Sequence, residues 1–187
     1  MAERRSPAAA FAGRFEAVSS SGALRLAEIP FLTHVNVRVD PAGPAADEVA
    51  AVLGAPLPTT PCTAVRSGEL TVAWLGPDEW LVIGPEGYRS ELLRKAVDGG
   101  QGSVVDVSAQ RTTLLVAGPK ARDLLSHGCT IDLHPSALAP GACAQTTLAR
   151  TQVVLLPQQD GFLVLVRSSF AAYLAEWLLD AATEYVR

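Results

Sequence analysis

The sequence predicts an α+β protein built of two tandem ferredoxin-like β-α-β-β-α halves, and three observations carry that expectation. Residues 70–97 and 153–181 run in one order, strand, tight turn, strand, helix; Asp78 matches Asp160, Trp80 matches Phe162, Tyr88 matches Phe170 and Leu92 matches Leu174, each 82 positions on. Ahead of each unit stand a strand and a short helix opened by Gly-Pro, at Gly43-Pro44 and again at Gly118-Pro119. Gly99-Gly100-Gln101-Gly102 is the natural join between the halves. The expected organisation is a flexible N-terminal arm over 1–24, a first repeat over 25–100 and a second over 101–187, an internal duplication forming one compact two-lobed body.

Each element has a local reason. Residues 1–24 are rich in Ala, Ser and Arg, with Phe11, Phe15 and Val18 too sparse to hold a helix against the entropy of ordering it. His34-Val35-Asn36-Val37-Arg38-Val39 alternates with the period of a half-buried strand. Val49, Val52 and Leu53 mark a short helix that Gly54 ends, and the Pro-rich stretch 56–61 is a connection. After the first strand-turn-strand unit, Leu92, Leu93, Ala96 and Val97 give a helix. The second half opens with Val104-Val105-Asp106-Val107-Ser108, continues with the strand 112–116, and turns at Gly118-Pro119 into a helix carrying Ala121, Leu124 and Leu125, with Pro119 at its first position and Gly128 as a left-handed exit. The last helix places Phe170, Leu174, Trp177, Leu178 and Ala181 on one face.

Composition narrows the function. A net charge of −4, with basic residues adjacent only in the isolated pairs Arg4-Arg5 and Arg94-Lys95, gives no phosphate-binding surface, so no nucleic-acid partner is expected. The hydrophobic fraction of 49% is high, yet no apolar run approaches the roughly 20 residues of a membrane span. Part of that apolar surface is expected to face a protein partner. Three cysteines without Cys-x-x-Cys spacing suit a reducing, cytoplasmic setting, and Arg14 and Glu16 interrupt any secretory signal.

Chemistry-bearing residues are few. His127, Cys129, Asp132 and His134 fall within eight positions, but their spacing matches no ligand pattern that a helix or a zinc knuckle enforces, and no metal site is expected. There is no Gly-x-Ser-x-Gly elbow and no phosphate-cradling Gly-rich loop; Ser108 suits a backbone turn, and Asp78-Glu79 the tip of a hairpin. Arg111, just before a strand, can anchor a partner carboxylate through its fork of donors. No catalytic, cofactor or metal residue is assigned. The expected partner interface is the arm, where Arg4, Arg5, Phe11, Arg14 and Phe15 combine aromatic and guanidinium groups.

Several segments together resemble a known family: Leu75-Gly76-Pro77-Asp78-Glu79-Trp80-Leu81, Asp106-Val107-Ser108 with Arg111, Gly118-Pro119-Lys120-Ala121-Arg122-Asp123-Leu124-Leu125, and Ile131-Asp132-Leu133. In this order they look like the gamma subunits of heterotetrameric sarcosine oxidases. More distantly the second half is similar to the folate-binding domain of the aminomethyltransferases of glycine cleavage. The resemblance implies a non-catalytic structural subunit that docks on alpha, beta and delta partners of a complex. That complex demethylates sarcosine to glycine with release of hydrogen peroxide and transfer of a one-carbon unit to tetrahydrofolate. It further implies that FAD, FMN, NAD, tetrahydrofolate and zinc belong to the other subunits and that none is bound by this chain.

The alternative is a stand-alone folate-binding or one-carbon-transfer protein. Against it, no Asp or Glu occurs between Asp132 and Asp160, and Leu148-Ala149-Arg150-Thr151-Gln152-Val153 stands where the aminomethyltransferases carry Gly-Gly and paired acids. Thr and Gln supply neither the charge nor the pKa of a carboxylate.

Overall fold

The computed structural model describes residues 4–19, 22–99 and 102–186. In chain order the elements are α1 (Ala12–Ser19), β1 (Arg25–Ile29), β2 (Thr33–Val39), α2 (Pro44–Leu53), β3 (Ala64–Ser67), β4 (Leu70–Gly76), β5 (Glu79–Gly84), α3 (Glu91–Ala96), β6 (Gly102–Asp106), β7 (Arg111–Ala117), α4 (Ala121–Ser126), β8 (Ala144–Leu148), β9 (Thr151–Gln158), β10 (Gly161–Arg167) and α5 (Ala171–Ala182). The mixed α+β class holds, with two five-stranded sheets. Gly100 and Gln101, in the expected join, lie outside the described residues.

The chain divides into a middle unit, residues 31–108 with 141–143, and a terminal unit built from residues up to 30, 109–140 and 144 onward. These boundaries differ from the expected 25–100 and 101–187. β6, expected to open the second half, pairs with β2 and completes the middle sheet. β1, expected in the first half, pairs with β7 in the terminal sheet. A strand's own residues say which face is apolar but not which edge will accept it.

Strand order is β3-β4-β5-β2-β6 in one sheet and β1-β7-β10-β9-β8 in the other. Read from β8, the second order follows the first: a meander of three strands, the strand before the crossover helix, then one added edge strand. Each half therefore has a strand more than expected, β3 and β8, while the pairs β2–β5 and β7–β10 are antiparallel, as the neighbouring strands of a β-α-β-β unit are.

In the middle unit the alternation of β2 buries Val35, Val37 and Val39, with Val37 opposite Trp80 and Val35 opposite Val82. Val49 and Leu53 of α2 and Leu93 of α3 complete this core. Pro44 takes the first turn of α2, and Gly54 ends it in the left-handed region at φ 70°, as its position predicts. Trp80 is wholly buried, and its indole N–H donates to the Pro58 carbonyl at 2.8 Å, which removes the cost of an unpaired buried donor.

In the terminal unit, α5 buries Leu174, Ala175, Leu178, Leu179 and Ala182, a stripe set off from the expected face, and Phe170 is exposed. Pro119 lies ahead of α4, which starts at Ala121. Gly128 is not in the left-handed region; it is required because Trp177 lies against it, with ring carbon Cζ2 2.6 Å from where a Cβ would stand.

The largest departure is the arm. Instead of an unordered segment, residues 12–19 form α1, packed against β1 and α5. A helix of eight residues is unstable alone, so tertiary packing holds it. Phe15 and Val18 are buried, and Phe15 alone contributes about 2–3 kcal/mol. The Glu28 carboxylate accepts from the Ser6 hydroxyl, the Ala8 N–H and the Thr112 hydroxyl, at 2.5, 3.1 and 2.6 Å. At the other end the Ser19 hydroxyl donates to the Phe15 carbonyl and accepts from the Leu26 N–H at 3.0 Å.

Candidate functional site

The Asp-x-Ser motif ends β6. Both the N–H and the hydroxyl of Ser108 donate to Oδ1 of Asp106, at 2.9 and 2.6 Å, and the His34 N–H donates to the Ser108 oxygen at 3.0 Å. The two Ser108 donors, hydroxyl first, hold the Asp106 carboxyl below its ordinary range, with smaller help from the charges of Arg94 and His34. The hydroxyl proton is thus committed to a carboxylate that accepts from it and serves the turn; the pair orders the backbone and presents no activated nucleophile.

The hairpin acids are also engaged. Asp78 pairs with Arg38 at 2.9 Å, and Glu79 accepts from the Asn36 amide at 2.7 Å. Both contacts cross to β2 and pin the β4–β5 turn to its neighbour.

Among the described residues no three His, Cys, Asp or Glu side chains gather as metal ligands. His127 Nε2 meets the Tyr185 hydroxyl at 2.9 Å, His134 Nδ1 meets the Ser136 hydroxyl at 2.7 Å, and Asp132 accepts from the His134 N–H at 2.8 Å. Cys143 lies in the middle unit, with its sulfur 3.2 Å from the carbonyls of Thr63 and Trp74. Burial, with the nearby Cys62 adding to it, pushes this thiol up to about 11, so it stays protonated and unreactive near neutrality.

The residues expected to meet a partner divide. Arg4 and Arg5 are exposed, and Phe11 is half-buried beside Phe15 with ring centroids 6.3 Å apart. Arg14 lies over the Phe11 ring at 5.7 Å and forms two hydrogen bonds to Glu176, at 2.6 and 2.8 Å. Phe15 is 2% exposed and serves the internal core, so it is not available to a partner.

Where the aminomethyltransferases carry Gly-Gly and paired acids, this chain makes the β8–β9 hairpin, with Ala149 at φ 54° in its turn. Thr151 is buried and Gln152 lines a polar cleft. A carboxylate that would grip a folate amine has no counterpart there, so these residues do not fit tetrahydrofolate.

That cleft, about 340 Å³, brings Arg111 together with Arg167, Gln145, Thr147 and Gln152. Arg111 is readable in the sequence, whereas Arg167 carries no local signal and comes into view only through the β7–β10 register. A second cleft, about 670 Å³, is lined by Arg25, Arg122, Asp160 and Phe162. There the Arg122 guanidinium lies 5.1 Å from the Phe162 ring centroid, an arrangement that stabilises the cation.

Residues 38–184 match the sarcosine oxidase gamma subunit family. The chain is 40% identical to a sarcosine oxidase subunit gamma of an Arthrobacter species, over 97% of this chain and 91% of the relative. It is 38% identical to its counterpart in Corynebacterium sp. strain P-1, over the same shares. Among solved structures it is similar to a chain of the heterotetrameric sarcosine oxidase of Corynebacterium sp. U-96, in complex with pyrrole 2-carboxylate, with a TM-score of 0.93, 33% identity, and 98% and 97% of the two chains covered. A glycine cleavage aminomethyltransferase T from Bartonella henselae shares the fold, with a TM-score of 0.63 and 19% identity over 92% of this chain and 53% of the other.

Proposed function

The chain belongs to the sarcosine oxidase gamma subunit family, and from that premise we propose that it is a non-catalytic structural subunit of a heterotetrameric, cytoplasmic sarcosine oxidase, assembled with alpha, beta and delta subunits. The complex oxidises the N-methyl group of sarcosine, releasing glycine and hydrogen peroxide and passing the one-carbon unit to tetrahydrofolate. FAD, FMN, NAD, tetrahydrofolate and zinc reside on the other subunits, and this chain contributes surface and rigidity. The observation that carries the proposal is the near-complete overlap, along both chains, with one subunit of such an enzyme. The commitments of Ser108, Asp78 and Glu79 to turns and strand contacts agree with it. So does the carboxylate-free β8–β9 hairpin, which counts against a stand-alone folate protein. We read the shared strand order of the two sheets as a duplicated unit whose second copy, like the first, serves as scaffold. Arg4, Arg5, Phe11 and Arg14 remain the proposed contact residues of the N-terminal segment.

Co-expression tests the proposal. The alpha, beta and delta subunits, purified with and without this chain, are compared for assembly and sarcosine-dependent peroxide release. A stable, active complex is expected only with the chain present, and equal activity without it rejects the structural role.

A further inference from the structure

Arg111 begins β7 and Arg167 ends β10, and the antiparallel register sets them directly opposite each other. Both side chains therefore leave the sheet on one face, and like charges so placed repel. The cleft they line adds the amides of Gln145 and Gln152 and the hydroxyl of Thr147, with no Asp or Glu among its described lining residues. Nη1 of Arg111 is withdrawn from water, although the residue has contacts within the chain.

We propose that this cleft binds a carboxylate. Two planar forks reaching from neighbouring strands suit a planar anion, and the amides and hydroxyl can donate to its remaining lone pairs. Phosphate sites draw on a nest of free backbone N–H groups. Here the interior strands β7, β10 and β9 spend theirs on the ladders with their neighbours on both sides. A carboxylate can arrive on a free small molecule or on an acidic side chain of a partner subunit, and the test separates these sources.

The full-length wild type, Arg167→Gln and Arg167→Glu are melted in rising sodium succinate against sodium chloride of equal ionic strength, and in sodium phosphate. Each is also assembled with the large subunits, an arm that rests on the proposed function. If the ligand is free, the wild-type Tm climbs with the logarithm of succinate concentration while both variants stay flat. If it is a partner side chain, succinate has no effect and both variants assemble about tenfold or more weakly than wild type. In either case Arg167→Glu, which sets a carboxylate across from Arg111, melts above Arg167→Gln. A response to phosphate alone, or variants identical to wild type in both arms, overturns the site. If wild type itself does not assemble, the assembly reading fails and the succinate arm decides: a rising curve upholds the site and a flat one rejects it.

Discussion

Arg14 and Glu176, 162 positions apart in the chain, meet in a bidentate ion pair that ties α1 to α5. Through these hydrogen bonds the Glu176 carboxylate raises the pKa of Arg14 and the guanidinium lowers that of Glu176, but both groups are more than half exposed, so the pair sets register more than strength. The hold on α1 is the apolar contact beneath it.

Phe15→Ala is therefore expected to destabilise the protein by about 3–5 kcal/mol, whereas Arg14→Ala changes little. Urea unfolding of the two variants checks the contrast, and equal, small effects would show that α1 is not docked in solution.

Gly128→Ala drives a methyl group into the Trp177 ring and is expected to cost about 1–3 kcal/mol. Trp177→Phe removes the indole carbons nearest that methyl. The double variant should lose less than the sum of the singles, and strict additivity would deny the contact.

The thiols should separate by rate. Cys62 is exposed and Cys143 buried, so an aromatic disulfide reagent at pH 8 is expected to label Cys62 in the native protein and Cys143 only on unfolding. Because folding raises the Cys143 pKa to about 11, its share of stability is complete below the unfolded thiol's pKa and is lost as pH rises through about 11. Cys143→Ser should blunt that alkaline loss in a pH series of melts.

Asp106 works in the opposite direction. Its carboxyl is held low, so its contribution is present above the ordinary carboxylate pKa and is lost as pH falls through the depressed one. In a carbon-detected NMR titration, Ser108→Ala should move the Asp106 midpoint upward, and an unmoved midpoint would mean that the hydroxyl points elsewhere.

Much of this molecule is legible locally. Val35, Val37 and Val39 announce their strand by period, Gly54 ends α2 by its conformational freedom, and Trp80 and Phe162 head matching hairpin strands 82 residues apart. The edge strands Ala64–Ser67 and Ala144–Leu148 are short and only partly buried, so they carry little alternation to read. α1 escapes notice because two buried side chains suffice to dock it, too few for a periodic signal.

By itself the sequence determined the α+β class, the period of each central strand, the absence of acids between Asp132 and Asp160, and the resemblance that led to a subunit role. Tertiary structure alone decided that β1 joins the terminal sheet and β6 the middle one, that Phe15 faces inward, and that Arg167 stands opposite Arg111. The reason is physical. Periodicity and turn chemistry are properties of neighbours along the chain, whereas strand partnership and register depend on which distant edge is free and which pairing buries the apolar face.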